Sequence, residues 1–285
     1  MDSIRIKAPA KINLCLNVKG RREDGYHELE TVMQTIDLYD YLDITPAKGF
    51  SFSCSDGSLS QNNLVEKAAY AFYGKLGRPA AVHIHLEKHI PHGAGLGGGS
   101  SDAAATLIAL NKLHNEPFAY EDLRQMAANM GADVAFFLTG GTALCSGIGD
   151  VVEPMPGFPL GCYLLVKPAF GIATSQIYTQ LDTKALKKSP SLSKIAPLIT
   201  SQSNISSMLN NDLESVAVAL YPELAKIKEE LYAHGSGGVL VSGSGSTVFG
   251  LFANKNECGR AAHLLKTQQH NSWWITACLG TNADL

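Results

Sequence analysis

Apolar and polar residues alternate over positions 12–18, INLCLNV, the two-residue period of a strand with one face turned to a core. Ile12, Leu14, Leu16 and Val18 fall on one face. Lys11, Asn13, Cys15 and Asn17 fall on the other, which a half-buried strand leaves to solvent. GRREDGY breaks the run as a turn with Asp24-Gly25 at its tip, and ELETVMQTIDLYDYLDI returns as a second strand. NNLVEKAAYAFYGKLG has a helical period and closes on Gly77, a residue suited to the left-handed end of a helix. AVHIHLEKH alternates again, with Val82, Ile84 and Leu86 inward. Helices are then predicted to about Leu113, over EDLRQMAANMG up to Gly131, and over ADVAFFLTGG; TALCSGIGD leads into strand and turn.

Pro154, Pro156 and Pro159 interrupt the pattern, and it restarts beyond them. YLLVK reads as a strand and SQIYTQL as a helix. Residues 184–205 mix Ser, Lys and Pro with little period and read as a mobile insertion with one helical turn at most. Helices are predicted over 207–220 and 222–233. GVLVSGSGSTVFGLF gives two strands about a Gly/Ser turn, NECGRAAHLLKTQ a helix and WWITACL a last strand. Strand, helices, strand, strand, helix, strand is the order of a split βαβ, ferredoxin-like unit. The chain thus divides into two domains, 1–155 and 156–285, without internal repeats.

Composition narrows the class. Of 285 residues, 45% are apolar and 17% charged, as in soluble globular proteins, and no apolar run is long enough for a bilayer. The start, MDSIRIKAPAKINL, lacks the apolar core of a secretory signal and the Arg/Ser-rich character of a transit peptide, so a cytoplasmic protein is expected. Six cysteines form no CxxC pair and read as reduced, buried thiols. A net charge of −3 gives a nucleic-acid partner little to hold. The charge is segregated, however: residues 1–22 balance at +5, and 23–43 carry seven acids and no Lys or Arg. The basic segment suits an anionic small molecule or a solvated strand edge.

The chemistry concentrates in PHGAGLGGGSS, residues 91–101, directly before the helical DAAATLIALNKL. A Walker A loop would end in Gly-Lys-Ser/Thr, and this one ends in Gly-Ser-Ser. A Rossmann turn follows a strand buried on both faces, whereas AVHIHLEKH alternates. A protein-kinase glycine loop lies between strands, and this one opens a helix. What remains is general: the first turn of a helix has unpaired N–H groups and a partial positive charge, and glycine lets an anion approach them. Ser100 or Ser101 is the expected N-cap, and Asp102 is expected to turn back toward the helix start. His83, His85, His89 and His92 have a spacing that can bind zinc, but no thiolate or carboxylate completes a set, and they read as solvent-facing.

PHGAGLGGGSS before an Ala-rich helix resembles the phosphate loop of the GHMP kinases. APAKINLCLNVKGRREDGYHELETVMQTIDLYD, MGADVAFF and VSGSGSTVF are similar, in family order from residue 8 to about 250, to one branch of them, the 4-diphosphocytidyl-2-C-methyl-D-erythritol kinases. The resemblance implies an α+β GHMP kinase fold, with a ribosomal-protein-S5-like N-terminal domain that binds ATP and a ferredoxin-like C-terminal domain. It implies phosphorylation, from ATP with Mg2+, of the 2-hydroxyl of a cytidine diphosphate-linked methylerythritol, in a non-mevalonate route to isoprenoids. Another GHMP kinase, acting on homoserine or a mevalonate derivative, is the alternative. The substrate is thus a small molecule, with neither nucleic acid nor membrane as partner.

Carried over residue by residue, the resemblance places the catalytic lysine of PAK-x-N at Lys11 and the catalytic aspartate of GADV at Asp133. The ATP loop becomes Pro91, His92, Gly93, Ala94, Gly95, Leu96, Gly97, Gly98, Gly99, Ser100 and Ser101, with Asn63 and Lys88 on the adenine side. Asn13 would lie near the reacting hydroxyl, with Tyr26 and His27 at the cytidine. Thr174 would contact the substrate too, and Tyr178 would stack the cytosine ring opposite Tyr26. Ser246 stands where the family often has proline. No two-carboxylate set appears for the metal, which would be held mainly by phosphates and water, with Ser101 as a further candidate ligand.

Overall fold

The computed structural model describes residues 3–59, 63–183, 191–268 and 272–282. Along the chain run β1 (Ile4–Arg21), β2 (His27–Pro46), β3 (Ser51–Cys54), α1 (Leu64–Leu76), β4 (Val82–Glu87), α2 (Gly98–Leu113), α3 (Tyr120–Ala128), α4 (Ala132–Thr139), β5 (Thr142–Ser146) and β6 (Val151–Pro154). There follow β7 (Cys162–Lys167), α5 (Thr174–Gln180), α6 (Leu192–Ile195), α7 (Gln202–Ile205), β8 (Asn210–Asn211), α8 (Glu214–Leu220), α9 (Glu223–Ala233), β9 (Gly238–Val241), β10 (Val248–Phe252), α10 (Lys255–Thr267) and β11 (Trp274–Leu279). None of the described helices is long and apolar enough to cross a membrane.

The first sheet is built on the long β1–β2 hairpin, in the order β3-β4-β2-β1-β8, with β5 on β2 and β6 on β5. Its helical side is a core of Ile6, Ala8, Leu42, Ile84 and Leu86 from the strands and Phe72, Leu107, Leu110, Phe136 and Phe137 from the helices. The second sheet runs β11-β7-β10-β9 with every neighbouring pair antiparallel, the order of a ferredoxin-like unit. Charge segregation along the sequence resolves across the hairpin. Arg5 pairs with Asp43, Lys19 with Glu30, and Arg22 with Asp24 and Glu28.

Four expectations need correction. β1 is buried on both faces, with Lys11, Asn13 and Asn17 only 4%, 3% and 2% exposed. Its polar face turns into the cleft between the sheets, and a register shift between Asn13 and Cys15 separates Ile12 and Leu14 from Leu16 and Val18 into different cores. Residues 191–205 are not a mobile insertion: Leu192, Ala196, Ile199 and Ile205 pack into the second core, beside Ile12, Leu165 and Phe249; residues 184–190 lie outside the described part. The helix predicted from 207 begins only at Glu214, because Asn210 and Asn211 pair in parallel with Cys15 and Leu16. EDLRQMAANMG ends its helix at Ala128, before Gly131.

Candidate active site

The cleft between the two sheets measures about 1190 Å³, above the roughly 300–1,000 Å³ typical of one small-molecule site and so wide enough for two substrates. Every predicted site residue except Ser101 lines it. Ser101 is 1% exposed, and its Oγ has no hydrogen-bond partner among the described residues. Neither serine caps α2. The N-cap is Gly97, at φ 72°, which puts Ser100 and Ser101 inside the first turn.

The glycine loop is polarised. Five consecutive carbonyls are taken up by the protein: Gly93 by the Ile172 amide (3.2 Å), Ala94 by the Thr247 amide (3.1 Å), Gly95 by Ser242 Oγ (2.9 Å), Leu96 by the Lys11 amide (2.9 Å) and Gly97 by the Ser101 amide (2.9 Å). None of the amides from Gly95 to Gly99 donates to a described group. With the carbonyls anchored, the amides are left for a ligand at a helix N-terminus. Glycine is required at two of these positions. A Cβ at Gly95 would overlap the Ser242 carbonyl, and one at Gly97 would come within 2.8 Å of the Phe137 ring and 3.0 Å of Lys11 Cγ.

Two titratable groups meet at the mouth of this loop. Lys11 comes from the middle of β1, and Asp133 is the second residue of α4, a helix whose Val134 to Leu138 are buried. Lys11 Nζ lies 3.5 Å from Asp133 Oδ2, with the lysine side chain 5% and the carboxylate 34% exposed. The ammonium also donates to Asn13 Oδ1 at 2.6 Å. Asp133 does not cap its helix, a role that falls to Gly131.

Under the loop lies a buried ionic trio that sequence pattern missed. Lys88 Nζ donates to Asp40 and, at 2.9 Å, to Asp102 Oδ2. Asp40 also accepts the His89 and Ile90 amides, at 2.6 and 2.8 Å, which fixes the chain entering Pro91. Asp102 turns to Lys88 and not back to the helix start, and its Oδ1 is buried without a hydrogen-bond partner among the described residues. Burial raises the Asp102 carboxyl to about 8, helped by adjacent Asp40 and opposed by Lys88. Burial works against the Lys88 ammonium, but Asp102 and Asp40 outweigh it, and its pKa is raised. Asn63 is likewise occupied: its Oδ1 accepts the Val65 amide at 3.0 Å as the N-cap of α1.

At the other end, Tyr178 of α5 stacks on His27, with centroids 4.9 Å apart and planes at 29°. Tyr26, expected to face the cytosine ring from the opposite side, lines the same cleft and is 62% exposed. Burial and then Arg21 lower the His27 pKa below its ordinary value, which favours the neutral imidazole. Burial, with Asp133 adding to it, raises the Tyr178 phenol to about 12 and keeps it a donor. Thr174 Oγ1 is 3.0 Å from Ser244 Oγ of the second glycine turn. His83 and His85 are bonded to Ser51 and Ser53, and His89 to Glu87. Among the described residues no group of three His, Cys, Asp or Glu side chains could enclose a metal ion.

An amide cradle facing a Lys–Asp pair, between a hairpin-based sheet and a ferredoxin-like one, defines a small-molecule kinase of the GHMP class. The models of the GHMP kinases N terminal domain and the GHMP kinases C terminal match residues 63–141 and 184–268. A protein of Desulfitobacterium hafniense (strain Y51), named 4-diphosphocytidyl-2-C-methyl-D-erythritol kinase, is 42% identical over 276 residues, 95% of each chain. A solved structure of 4-(cytidine 5'-diphospho)-2C-methyl-D-erythritol kinase, 36% identical, superposes with a TM-score of 0.84 over 98% of this chain and all of that one. A homoserine kinase from Cytophaga hutchinsonii ATCC 33406 shares the fold at 21% identity and a TM-score of 0.75, over 99% of this chain and 95% of its own. The chain belongs to the 4-diphosphocytidyl-2-C-methyl-D-erythritol kinase family.

Proposed function

We propose that this chain transfers the terminal phosphoryl group of ATP to the 2-hydroxyl of 4-diphosphocytidyl-2-C-methyl-D-erythritol, a step toward isoprenoid precursors. The observation that carries this reading is the Lys11–Asp133 pair, 3.5 Å apart beside the unpartnered amides of Gly95 to Gly99. Phosphoryl transfer proceeds through a loose transition state, so positioning and charge stabilisation dominate. Asp133 accepts the hydroxyl proton, a contribution of roughly 10²–10⁴-fold for general-base work. The acceptor is a tertiary alcohol of high pKa, which makes that proton transfer late. Lys11 offsets the charge developing on the transferred group. The loop amides hold the phosphate chain, with Asn63 and Lys88 on the wall of the nucleotide end. Tyr178, His27 and Tyr26 take the cytidine end, and Asn13 and Thr174 lie toward the acceptor.

Magnesium entering with ATP would neutralise phosphate charge. The ion would be held mainly by phosphate oxygens and water. The proposed division at residue 155 is supported by the sheets, the first ending at Pro154 and the second starting at Cys162, with β8 reaching back across it.

Coupled turnover measured with the cytidine-linked alcohol, mevalonate and homoserine tests the substrate. Turnover of the first alone is expected, and activity confined to either of the others would reject it. Asp133→Asn is expected to lower kcat by at least about 10²-fold with ATP affinity little changed. Wild-type kcat in that variant would remove Asp133 as the base.

A further inference from the structure

Thr31 lies on β2, paired with Leu16 of β1, and is 2% exposed on the wall of the cleft. A threonine hydroxyl has one proton and two lone pairs. Thr31 Oγ1 donates that proton to the Cys15 carbonyl at 2.6 Å. It therefore faces Asn13 as an acceptor and takes the Nδ2–H at 2.8 Å. This decides which end of the Asn13 amide points where. The other end, Oδ1, is presented to Lys11 Nζ, which has only donors to offer and bonds it at 2.6 Å. Lys11 in turn stands 3.5 Å from Asp133. A continuous relay runs from a β1 carbonyl through Thr31 and Asn13 to the reacting pair, and its three side chains are almost wholly buried.

We infer that Thr31 is a positioning residue for phosphoryl transfer: by fixing the Asn13 amide it aims the Lys11 ammonium at the reaction centre. The inference rests on the kinase reading above. Without the hydroxyl, Asn13 Nδ2 is a buried donor without its acceptor, and the amide is free to turn. Lys11 keeps its charge and loses its aim. Thr31 touches neither the loop amides nor the nucleotide end, so ATP binding is left alone.

Thr31→Val removes the hydroxyl and keeps the shape, whereas Thr31→Ser keeps the hydroxyl and removes a methyl group. With the wild-type enzyme turning over, Thr31→Val is expected to lower kcat about tenfold or more while the KM for ATP stays within about twofold. Thr31→Ser should hold kcat within about threefold of wild type, and Thr31→Val should add nothing in an Asn13→Ala background. Unchanged kcat in Thr31→Val, an equal loss in Thr31→Ser, or the same loss repeated on Asn13→Ala would each overturn the inference. Thr31→Ala gives the same readings if the valine variant does not fold. A wild-type chain that phosphorylates none of the alcohols sinks the kinase reading and this inference together. Normal turnover indifferent to Thr31 sinks the inference alone.

Discussion

Residues 93–99 and 242–247 are both glycine-rich turns and lie against each other, yet only the first runs directly into a helix. In the first, carbonyls are held by the protein and the amides of Gly95 to Gly99 are left over. In the second, the amides of Ser242, Gly245 and Thr247 are bonded, the last to Ala94 of the first turn, Asn211 caps the Gly243 carbonyl, and the amides of Gly243, Ser244 and Ser246 donate to no described group. One turn is a cradle and the other is the clamp that shapes it. Glycine content reports backbone freedom in both. What separates them is the helix that follows only the first, whose opening amides have no partners of their own.

The sharpest way to break this comparison is Gly97→Ala. The residue sits at φ 72°, and a Cβ would press on Phe137 and on the Lys11 stem. A fall in kcat/KM of about 10²-fold or more is expected, read by steady-state kinetics. Ser242→Ala removes the hydrogen bond to the Gly95 carbonyl, at 2.9 Å, and a long one accepted from the Asn13 amide, at 3.4 Å. A rise in the KM for ATP of up to about tenfold is expected, the worth of the shorter of the two bonds. If Ser242→Ala proved the more damaging of the two, cradle and clamp would have to exchange roles.

The smallest effect concerns stability. Only the first turn stands over a buried ionic trio, and the Asp102 carboxyl there is raised to about 8. Between the unfolded value near 3.9 and the folded one, the native chain holds a proton that the unfolded chain has lost, so this group's contribution falls as pH rises across that window. Lys88, raised above its ordinary value, stays charged throughout. Asp102→Asn should therefore gain on the wild type in Tm as pH rises from about 5 to about 8. A pH-independent offset would mean that Asp102 is ionised in the folded protein.

How much of this was legible depended on the range of the signal. Elements that rest on local period, such as Val82–Glu87 or Leu64–Leu76 with its Gly77 cap, came through, and so did the ferredoxin-like strand order. The glycine loop was readable because loop and helix are contiguous. The polar face of β1 was misread because alternation reports that two faces differ, not that the second meets solvent; here the glycine loop and the 242–247 turn lie against Lys11 and Asn13. Asn210 and Asn211 are too short a strand to carry a period and are held from afar, by Asn17 and by the carbonyls of Val241 and Gly243. Lys88 and Asp40 are 48 positions apart and Thr31 and Asn13 are 18, so no spacing rule brings them together. Lys11 and Asp133, each ordinary in its own segment, acquired meaning only through the resemblance and then through their 3.5 Å separation.

The most direct test of the account is a crystal structure with a non-hydrolysable ATP analogue. The account predicts phosphate oxygens within hydrogen-bonding distance of the amides between Gly95 and Gly99, with the terminal phosphate beside Lys11. A phosphate chain bound elsewhere, with those amides facing only water, would contradict it.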